Sequence, residues 1–267
     1  MSNLWYIFVV AKREICVLIN LKLKKGVFMA LYDRDYSAKK GYPREEDFYG
    51  YERSEGFADA DSRVAFIKRT YQLLGASMLA AAAGAYATMP IASTIYQFKW
   101  LIFGAEMLVL FFGLGFSRGK PGLNLAMLFL FTFLTGVSLV PLFASLIGMG
   151  KGAVIGNAFL GTAILFGALS IYAINTKRDF SNWGKGLFIT MIVIFVISLI
   201  NIFFLHSGML ATLISAGILL LFGIFTIYDT QNIANGAYDS EVDAAVSLYI
   251  DFLNMFTVLL GFLSGDD

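Results

Sequence analysis

The chain has 267 residues, of which 58% are hydrophobic and only 15% charged, and a mean hydropathy of +0.72. That composition lies outside the soluble globular range and points to a polytopic membrane protein. A formal net charge of +1 gives no basis for nucleic acid as a partner. The single cysteine, Cys16, excludes an intramolecular disulfide, and the single histidine, His206, argues against a histidine-rich metal centre.

Residues 1–28 differ in character from the rest of the chain. LWYIFVV is too short to cross a bilayer, and the basic AKREICVLINLKLKKGVF has no small-residue cleavage site, so a signal peptide is not expected. Lys25-Gly26-Val27 can be encoded by a purine-rich, ribosome-binding stretch just before Met29. Met29 is therefore the expected natural start, with a basic amphipathic surface anchor as the alternative. The intact mass of protein made from its native locus decides between them. Residues 29–69 read as a polar tail with charges of both signs, and Asp61 to Thr70 could begin a helix that feeds the first span.

Seven apolar runs come next, near residues 70–90, 100–117, 123–147, 153–174, 185–205, 209–229 and 244–263. Most exceed the roughly 17–20 residues that cross about 30 Å of hydrocarbon. The expected fold is an all-α integral membrane bundle of seven transmembrane helices. The second run is short and carries Glu106. The last is the least hydrophobic and carries Asp251 and Asn254, yet is expected to span fully rather than re-enter.

Basic residues gather in the N-terminal tail, after span two (Arg118, Lys120) and after span four (Lys177, Arg178, Lys185), against Lys99 and Lys151 on the other side. This places the N-terminus in the cytoplasm and the C-terminus, Asp266-Asp267, outside. The link between spans six and seven is instead acidic (Asp239, Glu241, Asp243) and is expected to concentrate cations at that mouth. His206 reads as a solvated loop residue. Gly148 to Gly152 lacks the spacing and the Ser/Thr of a phosphate loop. Gly152-x-x-x-Gly156 reads as a packing motif within the bundle.

The most informative stretch runs from Tyr228 to Asn254. Asp229 closes the sixth run and Asp251 lies inside the seventh, with the turn signal Asn235-Gly236 between them. In antiparallel helices a small overrun of the sixth toward Asn235 brings the acids to nearly one depth. An ionisable group at membrane depth costs about 2.5–3.5 kcal/mol, which makes it a functional candidate. Arg118 ends span two on the same side, and Glu106 sits about 18 Å deeper along that helix. Two close carboxylates cannot both ionise cheaply, so the pair titrates as a unit. Asn232 and Asn254, three residues beyond each acid, are candidates to support them.

FTFLTGVSLVPLF (131–143), AFLGTAILFGALSIYA (158–173), LFGIFTIYDTQNI (221–233) and LYIDFLNMF (248–256) resemble, in order, the motifs of the Bax-inhibitor (transmembrane Bax inhibitor motif) family in its bacterial YccA-like branch. Val140 departs from the glycine that the family commonly has before its proline. The resemblance implies a bacterial inner-membrane protein with a di-aspartyl pH sensor, Asp229 and Asp251, and a cation leak permeable to calcium. Arg118 would latch Asp229, and Glu106 would line the ion path. It implies no cofactor and no tight metal site, with lipid and transient cations as partners. A second implied role is modulation of a membrane protease or of cell death through protein partners. Tyr228-Asp229 also echoes intramembrane aspartyl proteases, but their glycine-x-glycine-aspartate motif is missing around Asp251, which makes that reading remote.

Overall fold

The computed structural model describes residues 60–265. The expectations for residues 1–28 and for most of the polar tail lie outside the described residues. A chain this apolar must satisfy its backbone N–H and C=O groups internally, and continuous helices do so. Seven helices are long and apolar enough to cross a membrane: α1 Ala60–Gln97, α2 Lys99–Ser117, α3 Pro121–Gly148, α4 Ala153–Asn175, α5 Ser181–Leu205, α6 Gly208–Ala234 and α7 Glu241–Ser264.

The helix suggested from Asp61 to Thr70 is continuous with the first span. α1 is broken once, at a 3-10 turn over Met89–Ile91, where Pro90 lacks an N–H to donate. A π-helical turn interrupts α2 at Val109–Gly113, just beyond Glu106. Another ends α5 at Asn201–Leu205. There the Asn201 amide donates to the Ser207 carbonyl and accepts from the Ser207 N–H, at 3.1 and 3.0 Å, which closes the turn into α6. His206 sits in that turn, exposed and with a positive φ of 49°.

α7 is one unbroken helix of 24 residues, about 36 Å long, and so a full span. It is not the least hydrophobic span, as the sequence reading expects; α1 is, at a mean hydropathy of 1.3 against 1.8, because its alanine-rich run is less apolar than the Leu, Val and Phe of α7. α7 is the central helix, packed by α1, α3, α4 and α6. Leu248, Ile250 and Met255 of α7 are buried with Leu128, Phe131 and Leu146 of α3. α2 lies against α3, and α5 against α6. The outer surface is apolar, with Leu79, Phe116, Phe204 and Leu220 exposed, as lipid-facing positions are. The phenylalanines therefore divide between core and lipid surface.

The closest helix approach is between α1 and α3. A Cβ on Gly136 would fall 1.9 Å from the Ala81 carbonyl oxygen, and one on Gly84 would fall 2.3 Å from that of Phe133. Gly152-x-x-x-Gly156 does not pack in this way. A Cβ on Gly156 would meet nothing within 4 Å, and one on Gly152 meets only its neighbour Ile147. The spacing is right, but at Gly156 that face of α4 meets no helix among the described residues. Val140, the departure from the family pattern, is fully buried with Ala85, Ile95 and Val137.

Candidate functional site

The end of α6 is buried all round. Asp229, Thr230, Gln231, Asn232, Ile233 and Ala234 are all interior, because the helix runs past the apolar stretch and ends among other elements. Asp229, Thr230 and Gln231 each have a job that burial imposes, since a buried polar group without a partner costs about 1–3 kcal/mol, whereas the Asn232 amide nitrogen has no hydrogen-bond partner among the described residues.

Asp229 is 1% exposed and accepts hydrogen bonds from Ser247 and Tyr238. Ser247 of α7 donates to Oδ2 at 2.5 Å, and Tyr238, in the α6–α7 link, donates to Oδ1 at 3.0 Å. Tyr238 Oη also lies 2.9 Å from Ser247 Oγ, closing a triangle of three side chains. Burial first, then the adjacent Asp229 charge, hold the Tyr238 phenol well above its ordinary value of 10.0; the Asp251 charge adds to this and the Ser247 hydrogen bond opposes it. Tyr238 is therefore a proton donor throughout the physiological range.

Asp251, also 1% exposed, lies one turn beyond Ser247 on the same face of α7. Its depth relative to Asp229 follows from two contacts. Ser247 meets Asp229, while Thr226 donates to Met255 Sδ at 3.6 Å. Between these contacts α6 retreats by three residues and α7 advances by eight. The level of Asp229 on α7 therefore falls between Ser247 and Phe252, an interval that contains Asp251. The overrun of α6 to Ala234 is what produces this alignment. Asn254 spends its amide on the Ile250 carbonyl of its own helix, at 2.8 Å, and Asn232 is buried near the end of α6.

Arg118 is paired with another acid in this structure. Its Nε forms an ion pair with Asp243 Oδ2 at 3.4 Å, in the first turn of α7, rather than with Asp229. Depth was readable from sequence, but the direction of the side chain around the helix was not. The acidic link is also less of a cation trap than expected. Glu241 faces Arg69 of α1 at 3.5 Å, so two of its three acids meet arginines, and Asp239 is left exposed. Ser240 caps α7 by accepting from the Val242 and Asp243 N–H groups at 3.2 Å each, and the acids in that first turn suit the helix dipole.

Glu106 is fully buried within α2, and the Val109 N–H that starts the π-turn reaches both the Ala105 and Glu106 carbonyls. Such turns recur at functional positions. Among the described residues, no three His, Cys, Asp or Glu side chains gather as a metal site.

Sequence reasoning missed four residues. Ser247 and Tyr238 are the direct partners of Asp229. Thr230 meets the Tyr71 hydroxyl of α1 at 3.3 Å. Gln231 clamps the α4–α5 link, accepting from the Phe180 N–H and donating to the Arg178 carbonyl, both at 2.7 Å. Only Ser247 carried a signal, its spacing of four from Asp251. Deeper in the bundle Thr135 of α3 hydrogen-bonds Tyr249 of α7, joining those helices near the acids.

The family described as "Inhibitor of apoptosis-promoting Bax1" matches residues 63–267. An uncharacterized protein of Helicobacter pylori is 45% identical over 232 residues, covering 87% of this chain and 95% of its own. Protein lifeguard 4 of Mus musculus is 31% identical over 231 residues, 84% of this chain and 95% of that one. The Golgi anti-apoptotic protein of Vaccinia virus is 31% identical over 224 residues, 82% and 92% respectively. Match and relatives both extend through the seven spans, and the chain belongs to the Bax inhibitor family of multi-pass membrane proteins.

Proposed function

We propose that the protein is a pH-sensitive cation leak, calcium the favoured ion, gated where α6 meets α7 by Asp229 and Asp251. The observation that carries this reading is the buried triangle of Asp229, Tyr238 and Ser247, with Asp251 one turn further along the same face. Two hydroxyl protons serve three close oxygen contacts, so the set is one proton short while Asp229 only accepts, and a proton on that carboxyl supplies the third. Donating that proton reverses the Ser247 hydrogen bond that joins α6 to α7. A proton shared with Asp251 ties the helices, and its loss or gain changes the repulsion between them. Calcium favours several carboxylate and carbonyl oxygens, and a few acids with backbone oxygens suit passage better than retention. Glu106 is the deeper acid on the proposed path.

Arg118 acts one step away in this reading, fixing the start of α7 through Asp243. In this reading the Asp229 end faces the cytoplasm of a bacterial inner membrane, an orientation that the basic bias of the links supports. The test is calcium influx into dye-loaded proteoliposomes compared with empty liposomes. Flux above the empty control supports the reading, and none at any pH removes it.

A second reading, modulation of a membrane protease or a stress or death pathway through protein partners, is favoured by the anti-apoptotic name of the viral relative. Loss of phenotype on deleting residues 29–60, with flux intact, would support it.

A further inference from the structure

The face between α5 and α6 carries a groove of about 470 Å³, within the range of roughly 300–1,000 Å³ typical of ligand sites. Its mouth is Asn182 and Trp183, in the 3-10 turn that opens α5. Its floor is Gly186 and Gly217, and its walls include Leu220 and Ile224. The two glycines leave space rather than permit a helix contact. A Cβ on Gly186 would meet nothing within 4 Å, and one on Gly217 would meet only Ile194 Cδ1 at 3.8 Å. Leu220 is 70% exposed on a helix that crosses the membrane, so the trough opens toward hydrocarbon.

The mouth has the opposite character. Lys177, Arg178 and Lys185 are exposed in and beside that link, which among the described residues carries Asp179 as its acid, and that carboxylate accepts the Ser181 N–H at 2.8 Å. The Gln231 clamp on Arg178 and Phe180 fixes this basic link to α6 instead of leaving it to drift. Trp183 sits where apolar trough meets basic link, the arrangement of an aromatic residue at a membrane–water boundary. Basic pockets between helices at such a boundary complement anionic head groups.

We propose that this groove is a binding site for one anionic phospholipid. An acyl chain lies along the trough over Gly186 and Gly217, and the phosphate meets the basic mouth, where Asn182 and the Trp183 indole add hydrogen-bond donors. A transmembrane helix of another protein would fill the trough but leave the cations of the mouth unanswered.

The chain has three tryptophans, so Trp5→Phe with Trp100→Phe leaves Trp183 as the reporter. The full chain is reconstituted in phosphatidylcholine bilayers containing brominated phosphatidylglycerol or brominated phosphatidylcholine at equal mole fraction, and quenching of Trp183 is read. The expected result is several-fold stronger quenching by the anionic lipid. Lys177→Gln with Lys185→Gln should remove that preference. Gly186→Leu should reduce it, with unchanged far-UV circular dichroism showing an intact fold. Equal quenching by both lipids would overturn the proposal, since ordinary boundary lipid gives that result. So would a preference that survives both sets of variants, or a Trp183 shielded from both lipids by a protein surface. The readout involves no ion flux, so it stands or falls separately from the transport reading.

Discussion

Ser247 of α7 donates to Asp229 of α6 across 2.5 Å, a hydrogen bond between the two helices whose carboxylates define the candidate site. It joins a helix end to a helix interior, and it exists because α6 continues five residues past Asp229 before stopping.

Removing that donor should be costly. Ser247→Ala removes the Ser247 donor from the buried Asp229, and a hydrogen bond to a charged group is worth about 1.5–3 kcal/mol. The expected outcome is a clear drop in the thermal midpoint in detergent micelles, where Ser247→Thr, keeping the hydroxyl, should recover part of it. An unchanged midpoint for the alanine variant would show that the bond contributes little.

The glycines make opposite predictions at like spacing. Gly136→Ala drives a methyl into the Ala81 carbonyl, and Gly84→Ala drives one into that of Phe133. Overpacking of this kind costs about 1–3 kcal/mol or more. Gly156→Ala meets open space and should be neutral or stabilising by up to about 1 kcal/mol through helix propensity. Thermal unfolding of the three variants side by side checks the order.

Gln231 should be felt at a distance from itself. Gln231→Leu strips the Phe180 N–H and the Arg178 carbonyl of their partner. Amide exchange should accelerate across residues 178–183, with the middle of α7 unaffected. No change in that segment would mean that the clamp does not hold the link.

The Tyr238 phenol gives a pH dependence with a definite sign. Its value in the folded protein is raised, so the folded state favours the protonated form. The stabilisation is complete below the ordinary value of 10.0 and is lost as pH climbs through the higher folded value. Tyrosinate absorbance should therefore show the same amplitude near pH 10 in wild type and Tyr238→Phe. The additional wild-type tyrosine should appear only at higher pH or on unfolding. Wild type exceeding the variant by one tyrosine already near pH 10 would contradict this.

Arg118 and Asp243 should couple weakly. The pair is partly exposed, and such pairs are worth about 0.2–1 kcal/mol. A double-mutant cycle of Arg118→Ala with Asp243→Asn should return a value in that range, and the cycle with Asp229→Asn should return less. The reverse order would restore Asp229 as the partner of Arg118.

These residues also mark what could be read without coordinates. Helix existence was legible because a 20-residue apolar run has few alternatives in lipid. The buried acids were legible because carboxylates are costly there. The ends of α6 and α7 were less so, since Thr230 to Ala234 look like a polar link until the partners that bury them are known. Ser247, Tyr238 and Gln231 are ordinary polar residues that acquire roles only from what packs beside them. The neighbours of Gly156 and Arg118 are not legible for one reason: spacing along a helix gives depth, and not which neighbour that side of the helix meets.

The most direct test of the central claim is the pH profile of calcium influx into dye-loaded proteoliposomes between about pH 5 and 8, a span reached by buried carboxylates, for wild type, Asp229→Asn and Asp251→Asn. The account predicts wild-type flux that changes across that range, and a flat profile for either variant. A wild-type profile reproduced unchanged by both variants would contradict it, because the pH response would then reside outside the pair.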